Sequence, residues 1–257
     1  MKCALVTGAC INTGVAIVEK FASEGYNVIF TGRSAEKVCE KQIEYQEKFP
    51  NVTIWGYCIE SLLDERTVDE ESVRRMFSDI DKRGLTVDAL VLNAADQGIG
   101  QSIFENPLTD FMKVINTNVT WNFCLATEAA KRMMECGGGS ITFINSNTAY
   151  RAIPDRVAYV ASKGGQLGLM RALALDLGKY NIRVNAVLPG MIKTDRWDKN
   201  PDFYNNVPSK FTPIGDVAVG ADIADAVWYF AANARNTTGA ELVLDGGNMI
   251  QLYPIIP

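Results

Sequence analysis

Tyr159 and Lys163 stand four residues apart in a run with helical periodicity, and Ser146 precedes the tyrosine by 13 positions. On a helix such a pair shares one face, about 6 Å apart along the axis. The chain has no histidine, so proton transfer near neutral pH has to come from another group. A phenol serves as general acid or base, but its ordinary pKa of about 10 leaves little phenolate at pH 7. A neighbouring ammonium, or the positive charge of an oxidised nicotinamide, favours the phenolate; a displacement of about three units takes roughly 4 kcal/mol. One close, partly desolvated cation supplies a large part of that. Ser146 ends the fifth apolar run, where its hydroxyl can donate to a carbonyl oxygen or to the alkoxide formed as hydride arrives. A Tyr-x-x-x-Lys pair arises by chance roughly 0.4 times in such a chain, and the pair with this serine roughly 0.02 times, so the triple carries the information. Tyr150, in the same stretch, has Pro154 rather than lysine four residues on, which makes it a candidate for substrate contact and not for catalysis.

A second constellation lies near the start. Thr7-Gly8-Ala9-Cys10-Ile11-Asn12-Thr13-Gly14 leads from a short apolar run into a helical pattern. A glycine turn entering a helix offers free N–H groups and the positive end of the helix dipole to a phosphate. The G-x-G-x-x-G fingerprint is absent, because Cys10 and Thr13 fill its other two glycine places counted from Gly8. A plain β–α turn is therefore the other reading. The second apolar run ends in Thr31-Gly32-Arg33-Ser34, with no acidic residue to bind the adenosine ribose hydroxyls. An arginine there suits the 2′-phosphate of NADP through its planar fork, or else serves solvent or the following helix. NADP(H) is favoured over NAD(H).

The elements that must position these groups are legible. Apolar runs at Cys3–Thr7, Val28–Thr31, Val52–Cys58, Ala89–Leu92, Ser140–Asn145, Arg183–Val187 and Glu241–Leu244 predict strands. Amphipathic stretches at Val15–Glu24, Ala35–Lys48, Glu70–Lys82, Phe111–Glu135, Ala158–Lys179 and Ala221–Asn233 predict helices. Alternating strands and helices with right-handed crossovers give an α/β fold: a doubly wound parallel sheet of about seven strands with helices on both faces. There is no linker and no repeat, so residues 1–257 are expected to form one domain. Glu60–Asp69 is an acidic surface loop. Residues 191–216, with Trp197, Phe203, Tyr204, Phe211 and three prolines, fit no single regular element and are expected to form a substrate lid.

Composition narrows the function classes. A net charge of −5 disfavours nucleic acid and anionic membranes as partners. The six cysteines contain no C-x-x-C, and without histidine no metal site is expected; they are taken as reduced, structural thiols. No window approaches 18 uninterrupted apolar residues and the N-terminus lacks a signal-peptide pattern, so a cytoplasmic location is expected.

In this order, the residues resemble the short-chain dehydrogenase/reductase family from Ala4 to about Gly247. The family's T-G-x-x-x-G-x-G is matched by Thr7, Gly8 and Gly14, with Asn12 in place of the middle glycine. Its N-N-A-G motif appears as Leu92-Asn93-Ala94-Ala95. Its catalytic asparagine matches Asn118 in Thr117-Asn-Val-Thr-Trp121, and its serine and Y-x-x-x-K match Ser146, Tyr159 and Lys163. Pro189-Gly190-Met191-Ile192-Lys193-Thr194 resembles P-G-x-[IV]-x-T, and Thr238–Gly247 the closing strand and turn.

The resemblance implies a catalytic set of Asn118, Ser146, Tyr159 and Lys163. It implies a cofactor site of Gly8, Asn12, Thr13, Gly14, Arg33, Ile59, Asn93, Tyr159, Lys163, Pro189, Gly190, Ile192 and Thr194, with Ile192 and Thr194 on the nicotinamide carboxamide. Cys58 stands where the family usually places an aspartate beside the adenine. By resemblance, Asn118 holds a water in a proton relay running through Lys163 and the cofactor ribose to Tyr159. The alternative is a structural asparagine bonding the backbone at a helix break.

The expected activity is an NADP(H)-dependent interconversion of a ketone and a secondary alcohol. The alternative is a catalytically silent nucleotide-binding regulatory protein on the same fold. Three substrate types stand open: a steroid-like or polycyclic ketone, a 3-oxoacyl thioester and a sugar-derived ketone. Tyr150, Trp197, Phe203, Tyr204 and Phe211 are candidates to line an apolar cleft, and Arg151 and Arg156 to meet an acidic group. The family commonly forms dimers or tetramers through its long central helices, and a homodimer or homotetramer is expected.

Overall fold

The computed structural model describes residues 1–59, 70–100, 102–105, 107–202 and 208–253. The acidic stretch 60–69 and the aromatics Phe203 and Tyr204 lie outside them. Among the described residues, seven strands form one sheet: β1 (Cys3–Val6), β2 (Asn27–Gly32), β3 (Ile54–Cys58), β4 (Ala89–Leu92), β5 (Gly139–Ile144), β6 (Ile182–Pro189) and β7 (Glu241–Leu244). All pairs are parallel, in the order β3-β2-β1-β4-β5-β6-β7. The chain winds outward in one direction through β3 and returns to start the other half at β4. The crevice between the ends of β1 and β4 is therefore the topological switch point at which such sheets bind ligands.

Alternation along each strand feeds two cores. Leu5, Leu90, Ile141 and Val184 point to one face, where they meet α3 (Glu70–Lys82), α5 (Trp121–Glu135) and α6 (Val157–Leu177) through Phe77, Leu125 and Met170. Ala4, Val6, Phe30 and Val91 point to the other, against α1 (Asn12–Ser23) and α2 (Ala35–Lys48) through Ile17, Phe21 and Tyr45. Ile223 and Val227 of a late helix, Gly220–Trp228, close that second face. Central strands β1 and β4 are buried at every position, as a sheet covered on both faces requires.

Two predicted helices are interrupted by π turns. The run predicted as Phe111–Glu135 begins earlier as α4 (Leu108–Ile115), widens to a π segment over Asn116–Thr120, and continues as α5. The helix predicted at Ala221–Asn233 likewise ends in a π segment, Tyr229–Asn233. A π turn adds one residue to the helical repeat and leaves no mark on the hydrophobic pattern, so periodicity could not have shown either one.

Candidate active site

One cleft of about 590 Å³ opens along the carboxyl ends of β1, β2, β4, β5 and β6. At the β1 end, Gly8 sits at φ +64°, and Asn12 adopts φ +50°, a left-handed conformation that asparagine tolerates better than most residues. The turn is pinned from the side. Thr7 Oγ1 accepts from the backbone N–H groups of Asn93 and Ala94, both at 2.9 Å, while Asn93 Nδ2 donates to the carbonyls of Thr7 and Gly8 at 2.9 and 3.1 Å. Asn93 thus lines the cleft and also fastens the glycine turn to the end of β4. A Cβ on Gly14 would lie 2.6 Å from the Gly8 carbonyl oxygen and 2.7 Å from Ala9 Cα. Both obstacles are backbone, so Gly14→Ala is expected to cost about 1–3 kcal/mol, read as a lower urea midpoint; an unchanged midpoint would contradict the close approach.

The residue preceding α1, Ile11, gives no side-chain cap. The first N–H groups of α1 therefore face the cleft without a partner from that position, which suits an anion. At the β2 end stand Arg33, Ser34 and Lys37. Arg33 and Lys37 are exposed, and neither side chain bonds a carboxylate among the described residues. Ile59 borders this end and donates its backbone N–H to Gly32. Four cations (Arg33, Lys37, Lys113, Lys163) and one carboxylate (Asp96) line the cleft among the described residues.

At the β5 end Ser146, Tyr159 and Lys163 come together. Ser146 follows β5 in extended conformation and caps a short 3₁₀ turn, Asn147–Ala149. Its N–H donates to Asn145 Oδ1 at 2.7 Å, and its Oγ accepts from the Thr148 N–H at 3.2 Å. Tyr159 and Lys163 project from the first turns of α6 into the same cleft, and the Ser146 and Tyr159 hydroxyls are hydrogen-bonded. Lys163 Nζ lies 5.5 Å from the Tyr159 ring centroid. Pro189, Gly190, Ile192 and Thr194, after β6, complete the wall opposite.

Electrostatics differ from the sequence expectation. Burial pushes the Tyr159 phenol above its ordinary range, opposed first by the hydrogen bond with Ser146 and then by the charge of Arg156. The cation expected to act on it was Lys163. That side chain is instead turned to the Ile144 carbonyl at 2.9 Å and to Gln166 Oε1 at 3.0 Å, and full burial brings its own pKa down to about 7. The Tyr159 phenol therefore keeps its proton at neutral pH.

Asn118 is the one expected site residue that does not line the cleft. It sits fully buried in the π segment. Its Oδ1 accepts from the Asp96 N–H, and its Nδ2 donates to the Asp96 carbonyl and to Ser162 Oγ, all at 2.8 Å. Its carbonyl accepts from Gln166 Nε2 at 2.6 Å and Asn122 Nδ2 at 2.8 Å. Each polar group of its side chain thus has a hydrogen-bond partner within the protein.

Several substrate-contact candidates also lie elsewhere. The Tyr150 hydroxyl donates to Glu241 and accepts from Arg171 at the β7 edge. Arg151 holds the carbonyls of Asn248 and Gln251. The Phe211 carbonyl accepts from Asn248 and Gln251, while its ring does not line the cleft. Trp197 does line it, buried, with Nε1 donating to the Ile192 carbonyl. The sequence reading missed Lys37, Asn145 and Gln166. Lys37 was findable as a second cation one turn beyond Arg33, and Gln166 as a polar residue on the buried stripe of α6, three positions after Lys163.

The family profile described as "Enoyl-(Acyl carrier protein) reductase" matches residues 8–248. A 3alpha-hydroxysteroid dehydrogenase of Mediterraneibacter gnavus is 35% identical over 95% of this chain and 96% of its own length. The chain belongs to the short-chain dehydrogenase/reductase family. Two solved structures of similar proteins share the fold over nearly the whole chain. A tyrosine-to-phenylalanine variant of ElxO with NADPH bound has a TM-score of 0.86 at 29% identity, covering 97% of this chain and 99% of that one. Carveol dehydrogenase from Mycobacterium avium in complex with NAD has a TM-score of 0.87 at 25% identity, covering 97% and 98%.

As a short-chain dehydrogenase/reductase, the protein is a pyridine-nucleotide-dependent oxidoreductase acting on alcohol and ketone groups. Its cleft fits such a dinucleotide in size, in the open helix N-terminus, in the glycine cradle and in the excess of cations. No helix among the described residues is long and apolar enough to cross a membrane.

Proposed function

We propose that the protein reduces a ketone to a secondary alcohol with NADPH, with Tyr159 as the proton donor. The observation that carries this reading is the meeting of Ser146, Tyr159 and Lys163 in one cleft whose β2 end presents Arg33 and Lys37, with no carboxylate among the described residues that line that end. When bound, the reduced nicotinamide supplies a hydride to the carbonyl carbon. Ser146 Oγ donates a hydrogen bond to the carbonyl oxygen and orients it, and the Tyr159 phenol gives that oxygen its proton. Lys163 holds the nicotinamide ribose, and Ile192 and Thr194 hold the carboxamide. Gly8, Asn12, Thr13 and Gly14 receive the pyrophosphate at the start of α1. Asn93 holds that turn in shape, Ile59 flanks the adenine, and Pro189 and Gly190 carry the chain past the nicotinamide.

The preference for NADP(H) over NAD(H) rests on Arg33, Ser34 and Lys37, which offer a 2′-phosphate two cations and a hydroxyl. Relatives of the same fold hold either nucleotide, so these side chains decide. Fluorescence titration tests it. Arg33→Ala is expected to raise the dissociation constant for NADPH about tenfold or more and to leave that for NADH nearly unchanged. Equal losses for both nucleotides would sink the assignment.

The lid in this reading is the segment 191–216, of which residues 191–202 and 208–216 are described; Met191, Thr194 and Trp197 of it line the cleft. The partly exposed apolar residues Met112, Phe123, Met134 and Leu175 on α4, α5 and α6 support packing of those helices in a homodimer or homotetramer. The catalytically silent alternative has no observation in its favour, since Ser146, Tyr159 and Lys163 are all present in the cleft.

A further inference from the structure

The buried face of α6 carries a carboxamide for which the reaction has no use so far. Gln166 is fully buried, one turn beyond Lys163. Its Oε1 accepts from Lys163 Nζ at 3.0 Å and from Asn145 Nδ2 at 3.1 Å, while its Nε2 donates to the Asn118 carbonyl at 2.6 Å. The Asn118 carbonyl also accepts from Asn122 Nδ2 at 2.8 Å. A carbonyl oxygen has two lone pairs, and both are used. Asn145, whose Oδ1 takes the Ser146 N–H and whose Nδ2 also reaches the Lys163 carbonyl, ties the same amide to the strand end that carries Ser146.

We propose that Gln166 is a positioning residue of the active site: its side chain bridges the Asn118 carbonyl and the Lys163 ammonium and holds the ammonium in place. This rests on the reading that Lys163 belongs to the reactive set. A neutral carboxamide neither gains nor loses a proton over the working pH range, so the bridge is a static strut and not a proton path. Apart from the Ile144 carbonyl, Gln166 supplies the only acceptor that the described residues give the ammonium. The titratable groups among the described residues sharing the cleft are Tyr159 on the same helix, Cys10 in the turn after β1, Asp96 after β4, Lys113 on α4, and Arg33 and Lys37 toward β2. From β5 and from the Asn116–Thr120 and α5 residues packed against Gln166, only uncharged groups (Ile144, Asn145, Asn118, Asn122) face this position.

Two variants test the bridge through the ionisation of Lys163, followed in the cofactor-free protein by NMR of ¹³C-labelled lysine, with Lys163→Met identifying the resonance. Gln166→Glu, close in shape, places a carboxylate on the ammonium and is expected to move its titration up by at least about one unit. Gln166→Leu removes the acceptor and is expected to move it down. The high-pH limb of NADPH-dependent ketone reduction should follow in the same two directions, a pattern that a packing role alone would not produce. Either folded variant decides the matter: Lys163 titrating as in the parent overturns the proposal, as does movement of both variants in one direction. Opposite shifts in a protein that turns over no ketone would leave the bridge standing and remove the function reading; turnover with an unmoved Lys163 would do the reverse.

Discussion

Tyr159→Phe is expected to lower kcat about a thousandfold while leaving the dissociation constant for NADPH within about threefold of the parent's. The substitution removes one oxygen from a half-buried side chain beside Ser146. General acid catalysis by a positioned side chain is worth about 10²–10⁴-fold, and loss of the donor removes an interaction made in the transition state, so kcat falls and binding does not. The phenol is pushed up by burial, so the parent should keep its proton donor throughout the neutral range. The fall in reduction rate at high pH should then begin with Lys163, whose pKa is the lower. Residual activity above about a tenth of the parent's would show that the proton comes from elsewhere.

Lys163→Met is expected to move activity and stability in opposite directions. Turnover should fall by about 10²-fold or more and NADPH binding should weaken, because the ribose contact and the cation near Tyr159 are both lost. The folded protein, however, pays for enclosing this amine. Its pKa drops from 10.5 to about 7 through burial, which corresponds to a destabilisation on the order of 5 kcal/mol at and below about pH 7. The sign follows from proton binding. Between about pH 7 and 10.5 the unfolded state carries a proton that the folded state has released, so the parent gains stability as pH rises through that window. The methionine variant has no such proton, so its advantage is greatest at and below pH 7 and fades toward pH 10.5. The Ile144 carbonyl loses this donor and Gln166 Oε1 keeps only Asn145 Nδ2, which offsets roughly 1–3 kcal/mol of it. Thermal melts of both proteins at pH 6.5 and pH 10 check this; a gap that widens with pH would contradict the buried, depressed amine.

Much of this was legible because the period of the apolar pattern changes wherever the fold does. Unbroken apolar runs such as Ala89–Leu92 could only be strands covered on both faces. The spacing of Ser146, Tyr159 and Lys163 placed a strand end opposite a helix face, and the structure brings the three into one cleft. Strand ends were less accurate: β3 begins at Ile54 rather than Val52, and β6 extends to Pro189 rather than Val187, because pairing to neighbours and not composition sets where a ladder stops. The π turn holding Asn118 was hidden, since one extra residue in a helix hardly disturbs a 3.6-residue stripe. The direction of Lys163 was hidden too. A four-carbon side chain can aim at the phenol or away from it, and the choice was made by Gln166 and the Ile144 carbonyl, acceptors that spacing to Tyr159 does not reveal. Tyr150 and Arg151 looked suited to a ligand but are held by Arg171, 21 positions on, and by Glu241, Asn248 and Gln251, which lie 91 to 100 positions away in sequence.

The central claim is that this cleft carries out carbonyl reduction at the expense of NADPH. It is tested most directly by following the absorbance of the reduced nicotinamide at saturating NADPH with a steroid-like ketone, a 3-oxoacyl thioester and a sugar-derived ketone, with the product identified by mass spectrometry. The account predicts that at least one is reduced, with one alcohol formed per NADPH consumed, and that Tyr159→Phe abolishes the consumption. Tight binding of NADPH with none consumed on any of the three, and none formed from the corresponding alcohols with NADP⁺, would contradict it.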